Sequence, residues 1–184
     1  MHVKGLEIGG YDPRTAKGQA VVFAAGNRGG CHHSIGLTAI FEVKQGIEQQ
    51  IEGKGAMVKK LARIRIISDS AVNCTFAFSR TFDYSLWSKL LQSVTGVYYN
   101  PEKLEMISDR VNTLERLYNL RQGFSVKDDA LPKRLMEDPL PDGPHRGQVV
   151  SEEELVKMRT DYFAAMGWDE NGVPTSATLQ ALGL

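Results

Sequence analysis

Apolar residues recur at helical rather than strand spacing over most of this chain. The clearest run is Leu104, Ile107, Val111, Leu114 and Tyr118, in alternating steps of three and four. Asn100 stands before it as a cap, and Pro101 occupies the first helical position, where its missing N–H costs nothing. "YSLWSKLLQSVT" at 84–95 predicts a helix that Gly96 ends. Val58, Leu61, Ala62, Ile64 and Ile67 predict another over 57–68, preceded by a turn at "GKGA". Residues 37–52 are amphipathic but interrupted by Gly46. Asp12 and Pro13 read as the start of a helix running through "AVVFAA" toward Gly29–Gly30, two glycines able to end it in the left-handed conformation. Ser151 with Glu154 forms a capping-box pattern before "LVKMRTDYFAAMG", and "SATLQALGL" is a short final helix stopped by Gly183. "HVKGLEIGGYDPR" reads as an extended or irregular lead-in, "DPLPDGPHRG" as a loop and "DENGVPT" as a turn. The small residues of "DSAVNCTFAFSR" predict close packing. Strand signals are sparse and no repeat is present. The pattern therefore predicts a mainly α fold: one multihelical domain over residues 1–184, with long irregular loops.

Composition narrows the function classes. A chain of 184 residues, 42% hydrophobic with two tryptophans, buries an ordinary core and is not disordered. Its 22 basic and 22 acidic residues balance, so no positive field draws nucleic acid or an anionic membrane. No apolar stretch reaches transmembrane length, and the amino end lacks the apolar core of a signal peptide, so a cytoplasmic location is expected. A disulfide between the two cysteines, Cys31 and Cys74, is disfavoured in such a reducing compartment.

Chemistry is concentrated in a few places. "NRGGCHHSI" sets Cys31, His32 and His33 side by side. Adjacent side chains diverge, zinc motifs separate their ligands, and no second pair lies nearby, so a self-contained metal site is disfavoured. The plain reading is a segment just beyond a helix end, one histidine bonded to backbone and the other exposed. Cys74 reads by default as a core residue. The other reading is a thiolate ligand; a chain with two distant cysteines holds no iron–sulfur cluster alone but can supply one ligand to a cluster built elsewhere. Asp69 is either a cap or solvated charge, or a carboxylate accepting paired N–H bonds from an amino-pyrimidine edge, and pattern does not choose between these. Asp128 and Asp129, being adjacent, fit a loop-and-cap role rather than a catalytic pair. "DENG" lacks the glycine position and closing glutamate of an EF-hand.

Five stretches occur in order along nearly the whole chain: "HVKGLEIGGYDPR", "GQAVVFAAGNRGGCH", "DSAVNC", "ERLYNLRQGFSVKDDALPKR" and "YFAAMGWDENGVPTSATLQALGL". Together they resemble the carboxyl-terminal third of the tungsten-containing aldehyde:ferredoxin oxidoreductases. That resemblance implies tungsten, or molybdenum in relatives, between two molybdopterin-type cofactors, with a [4Fe–4S] cluster beside one pterin. A β-rich amino-terminal domain and a middle domain with three cluster cysteines would be the partners of this chain, with ferredoxin as electron acceptor and an aldehyde as substrate. By the same resemblance Cys74 is the fourth cluster ligand, Asp69 bonds pterin N–H groups, Asn73 lies against that pterin and His32 is the histidine near the metal. Val72 and Asn73 stand where the family usually has Gly-Leu, Ser34 stands where it often has lysine, and His33 matches no functional position. The resemblance implies that this chain alone binds no cofactor and is inactive, and that its exposed interface favours self-association. The competing expectation is a non-catalytic helical module that docks on a partner.

Overall fold

The computed structural model describes residues 1–74, 76 and 83–184. Two short strands, β1 (His2–Val3) and β2 (Leu6–Glu7), pair antiparallel, Val3 opposite Leu6. Their two-residue loop has Lys4 at φ 49° and Gly5 at φ 80°, the mirror-image turn whose twist matches paired strands. Eight α-helices follow among the described residues: α1 (Lys17–Ala25), α2 (Ala39–Gln45), α3 (Lys54–Ser70), α4 (Tyr84–Thr95), α5 (Pro101–Arg121), α6 (Lys133–Glu137), α7 (Glu152–Met166) and α8 (Ser176–Leu182), with a 3-10 turn at Val126–Asp128. The mainly α class is as the periodicity predicts, and α4, α5, α7 and α8 begin and end where their caps and glycines place them.

At α1 the outcome differs. The helix starts at Lys17, not Pro13, because the Asp12 carboxylate turns back onto the Arg14 N–H (2.9 Å) and guanidinium, closing a separate turn. The helix ends at Ala25, before the glycine pair. Gly29 and Gly30 serve a different purpose: added Cβ atoms would lie 2.3 Å from the Val3 carbonyl oxygen and 2.6 Å from that of Leu6. The glycines let this loop run directly against the hairpin. Every residue of α1 is buried, Lys17 and Gln19 included. Lys17 is satisfied by Glu154 (2.6 Å) and the Val149 carbonyl (2.6 Å); Gln19 accepts the Thr38 N–H at 3.2 Å. Burial of the Lys17 charge is tolerable because it is paired.

α3 crosses the molecule and packs on α7, α5 and α1. It begins three residues earlier than periodicity predicts, taking in "KGA" of the expected turn. A Cβ at Gly55 would lie 2.4 Å from the backbone of Asp161 and Tyr162, so the glycine permits close approach to α7 rather than chain reversal. The main core joins α1 to α3, α6 and α7, with Tyr162, Phe163 and Trp168 stacked together. A smaller cluster of Ile67, Trp87 and Leu104 ties α4 to α3 and α5.

α5 buries its apolar stripe only in its first half, where Leu104 is in the smaller cluster and Val111 packs against the main core. Leu104 is buried, but Leu114 and Tyr118 are 47% and 56% exposed, while Ser108, Asn112, Thr113 and Arg116 face inward. Three of these inward groups are bonded: Ser108 to the Arg63 carbonyl, Asn112 to the Tyr162 hydroxyl at 2.8 Å, Arg116 to Asp129. A polar inner face and an apolar outer one make the outer face of α5 a surface suited to a partner.

Candidate functional site

The loop after α1 carries Cys31, His32 and His33. The lead-in loop holds His32: an added Cβ on Gly9 would lie 2.5 Å from its Nδ1, and the Tyr11 ring lies 5.0 Å from it between centroids. Gly9 therefore leaves the space in which this imidazole sits. The His33 ring lies 4.1 Å from that of His32, and the His33 N–H points at Cys31 Sγ (3.4 Å). Both imidazoles are half-buried, so the expected division into one bonded and one exposed histidine does not hold. Burial, and then the Arg65 charge, hold His32 below its ordinary value. Burial, His32 and Arg65 do the same to His33, with Asp69 pulling the other way. Both are thus neutral at pH 7.

Asp69 lies in the last turn of α3, with its side chain 47% exposed. Arg65, one turn earlier, donates Nε to Oδ2 (3.0 Å) and sets Nη2 2.8 Å from Oδ1. The pair fixes the carboxylate plane while leaving each oxygen a free lone pair. Arg65 is the link between α3 and the histidine loop. Its i,i+4 spacing to Asp69 was visible in sequence; its action on His32 and His33 was not, because nothing in the sequence brings residues 32 and 65 together. Gly9 and Tyr11 carried no signal of this kind at all.

Beyond Ser70 the chain turns at Val72 and reaches Asn73 and Cys74. Cys74 is exposed and reduced, which overturns its default reading as a core residue. Most of the remainder of "TFAFSR", and with it the close packing expected there, lies outside the described residues. An open cleft of about 640 Å³ adjoins this edge. Arg28 and Ser34 line it from the histidine loop, Asp69 and Ser70 from α3, and Leu114 and Tyr118 from α5. Polar and apolar side chains alternate on both walls, with Ile66 beside Asp69 on α3 and Glu115 and Asn119 beside Leu114 and Tyr118 on α5.

Asp128 takes the loop-and-cap role expected of the pair, and Asp129 does not. Asp128 accepts the Ser125 N–H at 2.8 Å and closes a capping box. Asp129 is wholly buried between Lys4 (2.7 Å) and Arg116, which grips it through both oxygens (3.0 and 2.7 Å).

Among the described residues no three His, Cys, Asp or Glu side chains converge as a metal site requires. Cys74 supplies a single accessible thiol. Such a donor set fits a cluster held mainly by other residues, and Asp69 on the cleft fits a partner bearing N–H groups. Among the described residues no helix is long and apolar enough to cross a membrane.

A helical domain with this layout recurs in a known class. The active-site complex of benzoyl-coenzyme A reductase, solved with 1,5-dienoyl-CoA, superposes on 74% of this chain and 20% of its own with a TM-score of 0.61; at 23% identity this shows a shared fold. All residues, 1–184, match the family described as aldehyde ferredoxin oxidoreductase, domains 2 and 3, and the chain belongs to that family. The tungsten-containing aldehyde ferredoxin oxidoreductase of Pyrococcus furiosus is 34% identical over 191 residues, covering all of this chain and 31% of the relative. That of Thermococcus kodakarensis is 32% identical, with the same coverage. The aliphatic sulfonate oxidoreductase, WOR-like subunit, of P. furiosus is 29% identical. The chain thus spans about a third of the length of these relatives.

Proposed function

We propose that this chain is the carboxyl-terminal helical part of a tungstopterin iron–sulfur oxidoreductase and forms one wall of its active site. The observation that carries the reading is one cleft edge where Asp69 of α3 stands beside Arg28 and Ser34 of the histidine loop, with the exposed Cys74 five residues further on. In this reading Asp69 accepts N–H bonds from the pyrimidine edge of the pterin. Asn73 lies against the same pterin, Cys74 is the single cluster ligand supplied by this chain, and His32 faces the metal. The missing cluster ligands and the floor of the site come from the amino-terminal and middle domains.

The reaction is oxidation of an aldehyde to a carboxylate, with oxygen from water and two electrons and their protons released, the electrons passing singly to ferredoxin. The tungsten or molybdenum centre, when bound, supplies the two-electron chemistry. The protein's part is positional and acid–base. Held neutral by burial and Arg65, His32 can hold the carbonyl oxygen through an N–H or take a proton from water through its free nitrogen. Gly9 and Tyr11 keep the ring in place. Asp69, its plane set by Arg65, orients the pterin edge. The sulfonate-named relative leaves the substrate class open to tests with both aldehydes and sulfonates.

The test is co-expression with a chain carrying the remaining domains of the family. Co-purification with tungsten and a [4Fe–4S] EPR signal, lost in Cys74→Ser, is the expected result. A 184-residue chain that alone carried a full cluster and oxidised aldehydes would sink the proposal, as would an undiminished cluster signal in Cys74→Ser. The second reading, a docking module without catalytic role, is favoured by the exposed Leu114 and Tyr118 on α5; it predicts tight co-purification with no change in metal content or activity when His32 is replaced by Gln.

A further inference from the structure

α3 ends in a turn that its sequence ought to resist. The Val72 N–H donates to the Asp69 carbonyl (3.0 Å) and the Asn73 N–H to the Ser68 carbonyl (3.0 Å), the crossed pair of bonds that closes a Schellman motif. The motif needs a left-handed residue at its centre, a place normally given to glycine. Val72 occupies it at φ 54°, although a branched Cβ is among the least suited to that conformation. Packing does not hold Val72 there, because it is 94% exposed. The additional restraint is a side-chain bond: Asn73 Nδ2 donates to Ser68 Oγ at 3.2 Å, and Ser68 is anchored in the interior at 8% exposure. The next residue is the exposed Cys74.

We propose that Ser68 and Asn73 are positioning residues that keep this strained terminal turn closed and thereby present the Cys74 thiol in a preformed direction. The purpose of the clamp rests on the reading of Cys74 as a cluster ligand; the clamp itself rests on the turn geometry. Its consequence for Asn73 is definite. The amide side chain is committed inward to Ser68, so the contact of Asn73 with a pterin is through its backbone. Asp69 is one residue from Ser68 on the same turn, so an opened turn also displaces the carboxylate that lines the cleft.

The experiment attaches a nitroxide to Cys74 in the 184-residue chain carrying Cys31→Ala. The parent is expected to give a restricted EPR line shape. Ser68→Ala and Asn73→Ala each shorten the rotational correlation time several-fold, Ser68→Thr, which keeps the acceptor, restores the parent spectrum, and the thermal unfolding midpoint stays where it was. Unchanged line shapes in both alanine variants overturn the proposal. So does mobility that rises only together with a lowered midpoint, or Ser68→Thr as mobile as Ser68→Ala. The outcome is separable from the function above. A clamp that responds as expected while Cys74→Ser leaves the cluster of the complete enzyme intact removes the ligand role and keeps the clamp. The converse pair of results does the reverse.

Discussion

Replacing Asp129 by asparagine keeps the shape of the side chain and removes its charge. In the native protein the carboxylate has no exposure and lies between Lys4, whose side chain is 2% exposed, and Arg116, at 1%. Three short contacts join them, at 2.7 Å to Lys4 and at 3.0 and 2.7 Å to Arg116. Without the carboxylate two buried cations face each other. Arg116 retains the Gly172 carbonyl (2.8 Å) and the faces of Phe163 and Trp168, and Lys4 retains the Ala24 carbonyl. Burial already lowers the Lys4 pKa against the pull of Asp129, so part of the cost is relieved by Lys4 losing its proton. Breaking a buried pair from one side costs about 3–5 kcal/mol, a large share of the roughly 5–15 kcal/mol by which domains are stable. With a urea slope of about 2–3 kcal/mol/M, the midpoint falls on the order of 1–2 M. Urea titration followed by circular dichroism at pH 7 reads this directly. Asp128→Asn is the matched control: exposed, and still able to accept the Ser125 N–H, it should lose under about 1 kcal/mol. Adding Lys4→Met to Asp129→Asn removes one orphaned cation and should recover part of the loss. A midpoint shift in Asp129→Asn no larger than in Asp128→Asn would refute the reasoning. The effect also reaches the site, since Lys4 pins the hairpin on which Gly29 and Gly30 seat the histidine loop.

Three further outcomes follow from the same geometry. Gly55→Ala should destabilise by about 1–3 kcal/mol despite alanine's better helix propensity, because its Cβ meets the α7 backbone at 2.4 Å; thermal melts will show it, and a stabilised variant would contradict the crossing described. Val72→Gly should stabilise by about 0.5–1 kcal/mol, the relief of a left-handed branched residue less the added freedom of glycine in the unfolded chain. His32 and His33 titrate below the ordinary value near 6.5 in the folded state, so the unfolded chain binds their protons first. Their stabilising contribution is complete above the unfolded pKa and is lost as pH falls through 6.5 toward the folded values. Denaturation midpoints between pH 7.5 and 5.5 should therefore decline less steeply in the His32→Gln, His33→Gln double variant, and NMR titration should place both native pKa values under 6.5.

Much of the fold was legible because it is written in local chemistry. The Asn100–Pro101 start of α5, the Ser151–Glu154 box of α7, and Gly96 and Gly183 at the ends of α4 and α8 act through neighbours a few residues away, so sequence by itself determined these boundaries. Family membership was legible as well, since five ordered stretches carried the resemblance and the family match covers residues 1–184. Asp69 and Cys74 were singled out only through the resemblance, whose motif they match at a five-residue offset. Only the tertiary structure decided the rest. Gly29 and Gly30, read as a helix stop, and Gly55, read as part of a turn, turned out to serve close backbone approach, which depends on a segment distant in sequence. The stripe on α5 turned outward at Leu114 and Tyr118, where Asn112 and Arg116 face Tyr162 and Asp129 instead, and no periodicity reveals partners on other elements. The reach of the Arg65 charge to His32 and His33, the burial of Asp129 beside the exposed Asp128, and the exposure of Cys74 are likewise properties of packing. Burial and long-range charge are set by which helices come together, and a hydrophobic pattern encodes that only in part.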